Sequence, residues 1–172
     1  GAVQAGYKYA LYKGYDCAVQ VDGDGQHDPK CIKMLLSELK KGADICIGSR
    51  FISGEGFQSS RMRRLGIRFF SILIRILTGH RITDPTSGFR ALNRRAIKLF
   101  SADYPRDYPE PESLVNAAKH GLTIREIPVI MHPRARGRSS INSVRSVYYM
   151  IKVTLAIIIT AVCDKKSGRA LS

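Results

Sequence analysis

The chain has 172 residues, 44% of them hydrophobic, which suits one globular domain with a sizeable core. It shows no internal repeat and no low-complexity segment, and its four cysteines lack C-x-x-C spacing, which excludes solenoid architectures and zinc-finger or dithiol motifs. A net charge of +14 and a pI near 10.0 require an anionic partner: nucleic acid, anionic lipid or a phosphorylated substrate.

Residues 1–13 carry Val3, Tyr7, Ala10 and Leu11 at helical spacing, and Gly14 ends the helix. The short apolar run Cys17 to Val21 reads as a buried strand. It stops at two carboxylates, Asp22 and Asp24, separated by one glycine. In an α/β sheet the loop at the carboxyl end of a strand is where ligands bind. Two hard oxygen ligands there suit Mg²⁺ or Mn²⁺ shared with substrate phosphates. A solvated Asp-Gly turn is the simpler alternative. A calcium EF-hand loop is rejected: counted from Asp22, the sixth position is His27 where Gly is needed, and the twelfth is Lys33 where Glu is needed.

Asp28-Pro29 starts the next helix, with Asp as N-cap and Pro at the first helical position. Residues 29–41 are amphipathic, with Ile32, Leu35, Leu36 and Leu39 inward, and Gly42 follows. Ala43 to Ile47 is a second apolar strand. An α-β-α-β opening predicts a parallel sheet with helices on its faces. Three of the four cysteines (Cys17, Cys31, Cys46 and Cys163) sit inside apolar runs and read as free core thiols of a reducing compartment.

Arg50 follows the second strand, and the loop around Gly54 and Gly56 is either a lid or plain surface. In the helix Arg61 to Thr78, Arg61, Arg64, Arg68 and Arg75 fall in one angular sector, with Leu, Ile and Phe elsewhere. That pattern fits the surface of an anionic membrane or a core helix with one solvated face. Asp84-Pro85 and Ser87-Gly88 make a turn, Phe89 to Leu92 is extended, and Asn93 caps a helix through Phe100. Tyr104 to Pro111 reads as loop, leading to a helix that ends at Gly121. The helix dipole alone accounts for Glu110 and Glu112 there. Leu122 to Met131 is a strand in which Pro128 marks an edge or bulge.

The basic stretch His132 to Ser140 offers arginines to phosphates or to solvent. The apolar half of the final helix, Val153 to Cys163, is shorter than the ~20 residues that span a bilayer. It reads as an interfacial helix, a helix packed on a partner, or the stub of a longer anchor.

Five segments, in this order, resemble family 2 glycosyltransferases of the dolichyl-phosphate mannose synthase and polyprenyl-phosphate glycosyltransferase branch. They are Val21 to Pro29, Gly48-Ser49-Arg50-Phe51, Asp84 to Arg90, Pro109-Glu110-Pro111-Glu112, and Arg134-x-x-Gly137-x-Ser139-Ser140. The resemblance implies an α/β, Rossmann-like GT-A sheet with flanking helices and a C-terminal amphipathic or apolar helix. The expected layout is residues 1–140 as the C-terminal portion of a GT-A domain, 141–163 as a membrane-interface or packing helix, and 164–172 as a polar tail. It further implies metal binding by Asp22, Asp24 and Gln26, and phosphate binding by Arg50, Arg90, Arg134 and Ser139. Catalytic roles fall to Asp24 and Arg90, with Glu112 a further candidate.

The implied reaction is inverting transfer from a nucleotide-sugar, UDP- or GDP-linked, to a polyprenyl or dolichyl phosphate at the cytoplasmic, inner face of a membrane. A membrane-protein partner is a further candidate. A phosphate acceptor is already ionised and needs positioning and charge neutralisation, not a general base. A saccharide hydroxyl acceptor would need one, and Asp84, Glu110 and Glu112 are the candidates. A non-catalytic basic module on a membrane or nucleic acid is the rival from another class; the arginines are scattered and no nucleic-acid motif is present, so specific nucleic-acid binding is not expected. Two departures stand out. Ser140 occupies a position where many relatives carry Lys. The family's opening strands, with their Pro-x-Tyr-Asn-Glu-like segment, have no counterpart. The chain therefore reads as a fragment lacking about three strands of the nucleotide half, with weak or no turnover alone.

Overall fold

Ile45 to Ser49 form β2, a strand buried at every residue, and the other elements pack around it. The computed structural model describes residues 1–53, 61–105, 109–132 and 143–162. In chain order the elements are α1 (Ala2–Tyr12), β1 (Cys17–Gln20), a 3₁₀ turn (Pro29–Cys31) leading into α2 (Ile32–Lys40), β2, α3 (Arg61–Thr78), β3 (Arg90–Asn93), α4 (Arg94–Ala102), α5 (Pro109–Lys119), β4 (Ile124–Pro128) and α6 (Ser143–Val162).

The result is an α/β sheet with flanking helices, but its strand order is β1-β3-β2-β4, which corrects the parallel-sheet expectation. β1 and β2 are not neighbours. β3 lies between them, antiparallel to both, with Val19 opposite Ala91 and Cys46 opposite the same residue. Only β2 and β4 pair in parallel. The cause is the route of the chain after α3: residues 79–89 arrive at the edge that β2 leaves from, so β3 must run back through the sheet. This brings the carboxyl ends of β1, β2 and β4 and the amino end of β3 to one edge.

β2 alternates faces as a strand must. Ile45 and Ile47 join a core of Phe70 and Ile74 from α3, Ile97 and Phe100 from α4, Leu114 from α5, and Val153 and Ile157 from α6. Cys46 joins Ala91, Phe89 and Leu35 of α2 on the opposite face. The strand read as buried, β1, is a sheet edge: Cys17 and Val21 are exposed and residues 18–20 only half-covered. The core-thiol reading accordingly holds for Cys46 alone among the described cysteines, because Cys17 is exposed and Cys31 half-buried. Cys163 lies outside the described residues.

Local signals behave as read. Asp28 accepts from the Lys30 amide at 2.9 Å. The Pro-rich entry to α5 turns helical sooner than expected, at Pro109, where a proline lacks only an amide that the helix would leave unpaired. Asn93 caps α4 by accepting from the Ala96 amide at 3.0 Å, and its own amide donates to Asp44 at 2.8 Å. Asn93→Ala removes both and is expected to cost about 1–2 kcal/mol in urea unfolding; a change within about 0.5 kcal/mol, the range of an ordinary surface substitution, would refute the cap's weight.

α6 lays Val153 and Ile157 on the core and leaves Ile151, Leu155, Ile159 and Val162 exposed. α3 buries Ile67, Phe70 and Ile74 while Met62, Leu65, Phe69, Ile72 and Ile76 stay exposed. Among the described residues no helix is long and apolar enough to cross a membrane.

Candidate active site

The loop after β1 is folded by its own side chains and pinned by the segment after β4. Asp24 Oδ1 accepts from the Gln26 amide at 3.1 Å, and Gly25 takes φ 72°, which lets the loop double back. Gln26 is buried. Its Nε2 donates to the His132 carbonyl at 2.9 Å, and the His132 amide returns a bond to the Gln26 carbonyl. The buried His27 ring stacks on Phe89 with centroids 4.7 Å apart and sets Nε2 3.8 Å from Asp22 Oδ2. That imidazole is the main reason the Asp22 carboxyl is held below its ordinary range, with the charges of Arg50 and Arg90 adding to the effect. Asp22 is exposed and Asp24 half-buried, so both carboxylates face an open edge of the sheet.

Arg50 leaves β2 toward the same edge but turns onto a partner. Its Nε and Nη2 each bond an Asp84 oxygen at 2.6 Å, and Nη2 also donates to Thr86 Oγ1 at 2.9 Å. Asp84 is fully buried, so this is a bidentate ion pair inside the protein. Glu126 on β4 caps the same loop, accepting from the Thr83 and Asp84 amides at 2.7 and 2.9 Å. Burial pushes the Glu126 carboxyl above its ordinary range, against the pull of those two amides.

Arg90 is 1% exposed and its guanidinium is taken up by the protein's own oxygens. It donates to the carbonyls of Ser87 at 2.7 Å, Pro85 at 3.2 Å and Glu110 at 3.0 Å, and to Ser113 Oγ at 2.9 Å. Arg50 and Arg90, the expected phosphate ligands, both hold the turn before β3 through these bonds. The base candidates separate as well. Asp84 is locked by Arg50, and Glu112 accepts from Thr160 Oγ1 of α6 at 3.0 Å, because its helical position turns it toward that helix. Glu110 contributes its carbonyl to Arg90. Arg134, Ser139, Ser140 and the loop around Gly54 and Gly56 lie outside the described residues.

Next to the Arg50–Asp84 pair a groove of about 570 Å³ opens between α3 and residues 81–83. Arg64, Arg68, Arg75 and Arg81 line it together with Phe51, Ile67, Ile72, Ser71 and Thr83. Ser71 Oγ donates to the Ile82 carbonyl and fixes α3 against that segment. Among the described residues none of these four arginines meets a carboxylate at ion-pair distance. The sector of arginines on α3 was legible as a stripe and Gly88 as part of a turn; Glu126 carried no local signal, since its partners Thr83 and Asp84 are remote in sequence.

Among the described residues no cluster of three His, Cys, Asp or Glu side chains exists that could cage a metal ion; Asp22 and Asp24 offer two carboxylates at an open edge, and the Gln26 side chain is buried against the His132 carbonyl.

The family model described as Glycosyl transferase family 2 matches residues 1–100. The polyprenol monophosphomannose synthase of Mycolicibacterium smegmatis is 31% identical over 156 residues, covering 88% of this chain and 59% of that protein. The undecaprenyl-phosphate mannosyltransferase of Micrococcus luteus is 33% identical over 146 residues, covering 83% and 60% respectively. Among solved structures, glucosyl-3-phosphoglycerate synthase from Mycobacterium tuberculosis, in complex with Mn²⁺ and uridine-diphosphate-glucose, matches with a TM-score of 0.58 and 20% identity. That match covers 95% of this chain and 57% of the other, and it shows a shared fold. The chain spans about 60% of the length of these relatives.

Proposed function

The chain belongs to glycosyl transferase family 2, and from that premise we propose that it serves metal-dependent inverting transfer of a sugar from a UDP- or GDP-linked donor to a polyprenyl or dolichyl phosphate. One observation carries the reading: a carboxylate loop after β1 and an arginine-lined, partly apolar groove beside the end of β2 lie at the same edge of the sheet. The names of the relatives, which act on polyprenol and undecaprenyl phosphate, support the acceptor class. The Mn²⁺ and nucleotide-sugar complex of the structural neighbour supports the donor and the metal.

In this reading Asp22, Asp24 and Gln26 are the residues that would hold Mg²⁺ or Mn²⁺. When bound, the metal offsets the charge that grows on the departing nucleoside diphosphate. Arg64, Arg68, Arg75 and Arg81 receive the acceptor phosphate, neutralise part of its charge and orient it, while Phe51, Ile67 and Ile72 meet the first part of the lipid. A phosphate oxygen attacks the anomeric carbon as the bond to the diphosphate breaks, and the nucleoside diphosphate leaves with the electron pair. No base is required, which agrees with Asp84 being locked by Arg50 and Glu112 facing α6.

The exposed apolar residues of α3 and α6, beside a strongly basic surface, suit a peripheral position on the cytoplasmic face of an anionic membrane. Arg134 and Ser139 remain candidate phosphate ligands within this proposal.

The test is a steady-state assay with polyprenyl phosphate in vesicles. Arg64→Glu/Arg68→Glu is expected to raise the acceptor KM at least about 10-fold and leave the donor KM unchanged. A rise in donor KM with an unchanged acceptor KM would assign the groove to the donor and refute the reading.

A further inference from the structure

The contact that places Asp22 comes from the turn before β3. A Cβ built on Gly88 would lie 2.6 Å from Asp22 Oδ1 and 2.8 Å from Oδ2, closer than Cβ atoms approach anything. Glycine is not needed there for the backbone, because Gly88 is not among the glycines with positive φ. What the position lacks room for is a side chain against the Asp22 carboxylate. We propose that Gly88 is a positioning residue: the Thr83–Phe89 turn is a rigid wedge whose bare backbone at Gly88 sets where the Asp22 carboxylate sits.

The wedge is held on every side. Glu126 accepts from its first two amides, and Arg50 grips Asp84. Ser87 Oγ donates to the Gly48 carbonyl at 2.7 Å, and Arg90 gathers the carbonyls of Pro85 and Ser87 from below. Phe89, fully buried, supports the His27 ring that forms the other wall beside Asp22. The Asp22 side chain, by contrast, is 51% exposed and ends in solvent. When a methyl group is added at Gly88, the stapled turn stays and the carboxylate moves. The burden of the substitution therefore falls on ligand geometry and not on the fold. The inference rests on the metal role proposed for Asp22 above, and it assigns Arg90 a share in the same task by way of the turn.

The experiment compares wild type, Gly88→Ala and Gly6→Ala. Gly6 on α1 has open space around it and serves as the substitution control. Mn²⁺ affinity is read by electron paramagnetic resonance with UDP and with GDP, the Asp22 carboxyl ¹³C resonance is read without metal, and thermal unfolding is followed in parallel. Gly88→Ala is expected to bind Mn²⁺ about 10- to 100-fold more weakly, to shift the metal-free Asp22 resonance, and to unfold at the wild-type temperature. Unchanged Mn²⁺ affinity together with an unshifted resonance would overturn the inference. So would a loss of affinity that only follows a large fall in unfolding temperature, since the glycine would then serve the fold. A wild-type protein that binds no Mn²⁺ would instead overturn the metal reading, while the metal-free resonance still decides whether Gly88 sets Asp22.

Discussion

Asp24→Asn is expected to abolish Mn²⁺-dependent binding of UDP or GDP and to lower sugar transfer about 100- to 1000-fold, the scale on which removing one stabilising group from a developing anion acts. Asparagine keeps an Oδ1 that can accept from the Gln26 amide, so the loop retains its 3.1 Å bond and only the charge is lost. The unfolding temperature should therefore stay at the wild-type value. Asp28→Asn is the matched control. Asp28 caps the Lys30 amide at the start of a helix, and asparagine caps nearly as well. Titration calorimetry with each nucleotide, with and without Mn²⁺, separates the cases and identifies the donor nucleotide from the one that binds. Equal nucleotide affinity in wild type and Asp24→Asn, in the presence of Mn²⁺, would remove Asp24 from the metal set.

Asp84→Ala is expected to destabilise the fold by about 3–5 kcal/mol, the cost of leaving a buried cation without its partner. Arg50 is 7% exposed and Asp84 0%, so neither charge can turn to water without moving the turn. The same substitution removes the oxygens that accept from the Arg50 amide at 3.2 Å and from Thr86 Oγ1 at 3.3 Å. The double replacement Arg50→Met/Asp84→Leu should be far less destabilising, because it removes both charges and fills the space with apolar groups. Equilibrium urea unfolding of the three variants measures this directly. A loss below about 1 kcal/mol for Asp84→Ala would mean that the pair behaves as a solvated one.

These two predictions sit at opposite ends of what could be read from residues in line. Asp22, Asp24 and Gln26 are legible because a strand that stops at two carboxylates and a glycine is a local pattern, and the family likeness adds to it. The caps at Asp28 and Asn93 are legible for the same reason, since a side chain reaching an amide two or three residues away depends on little else. The stripe of arginines on α3 follows from helical periodicity. Arg50 and Arg90 were legible as residues of the site, but their partners were not. Arg50 meets Asp84 across 34 residues, and Arg90 reaches Ser113 across 23. Glu126 gave no hint of its place, as its two amide donors lie 43 and 42 residues upstream.

By itself the sequence determined the order of helices and strands, the family, and the carboxylate loop with its caps, all set by contacts within a turn or two of chain. Tertiary structure alone decided that β3 runs between β1 and β2 in the opposite sense, and most of the site follows from that. The reversal carries the turn from Asp84 to Phe89 under the carboxylate loop, places Gly88 against Asp22, and gives Arg50 and Arg90 their partners in that turn. Each of these is a pairing of charges or a close approach between segments tens of residues apart. Strand order, and not local propensity, determines which of them meet.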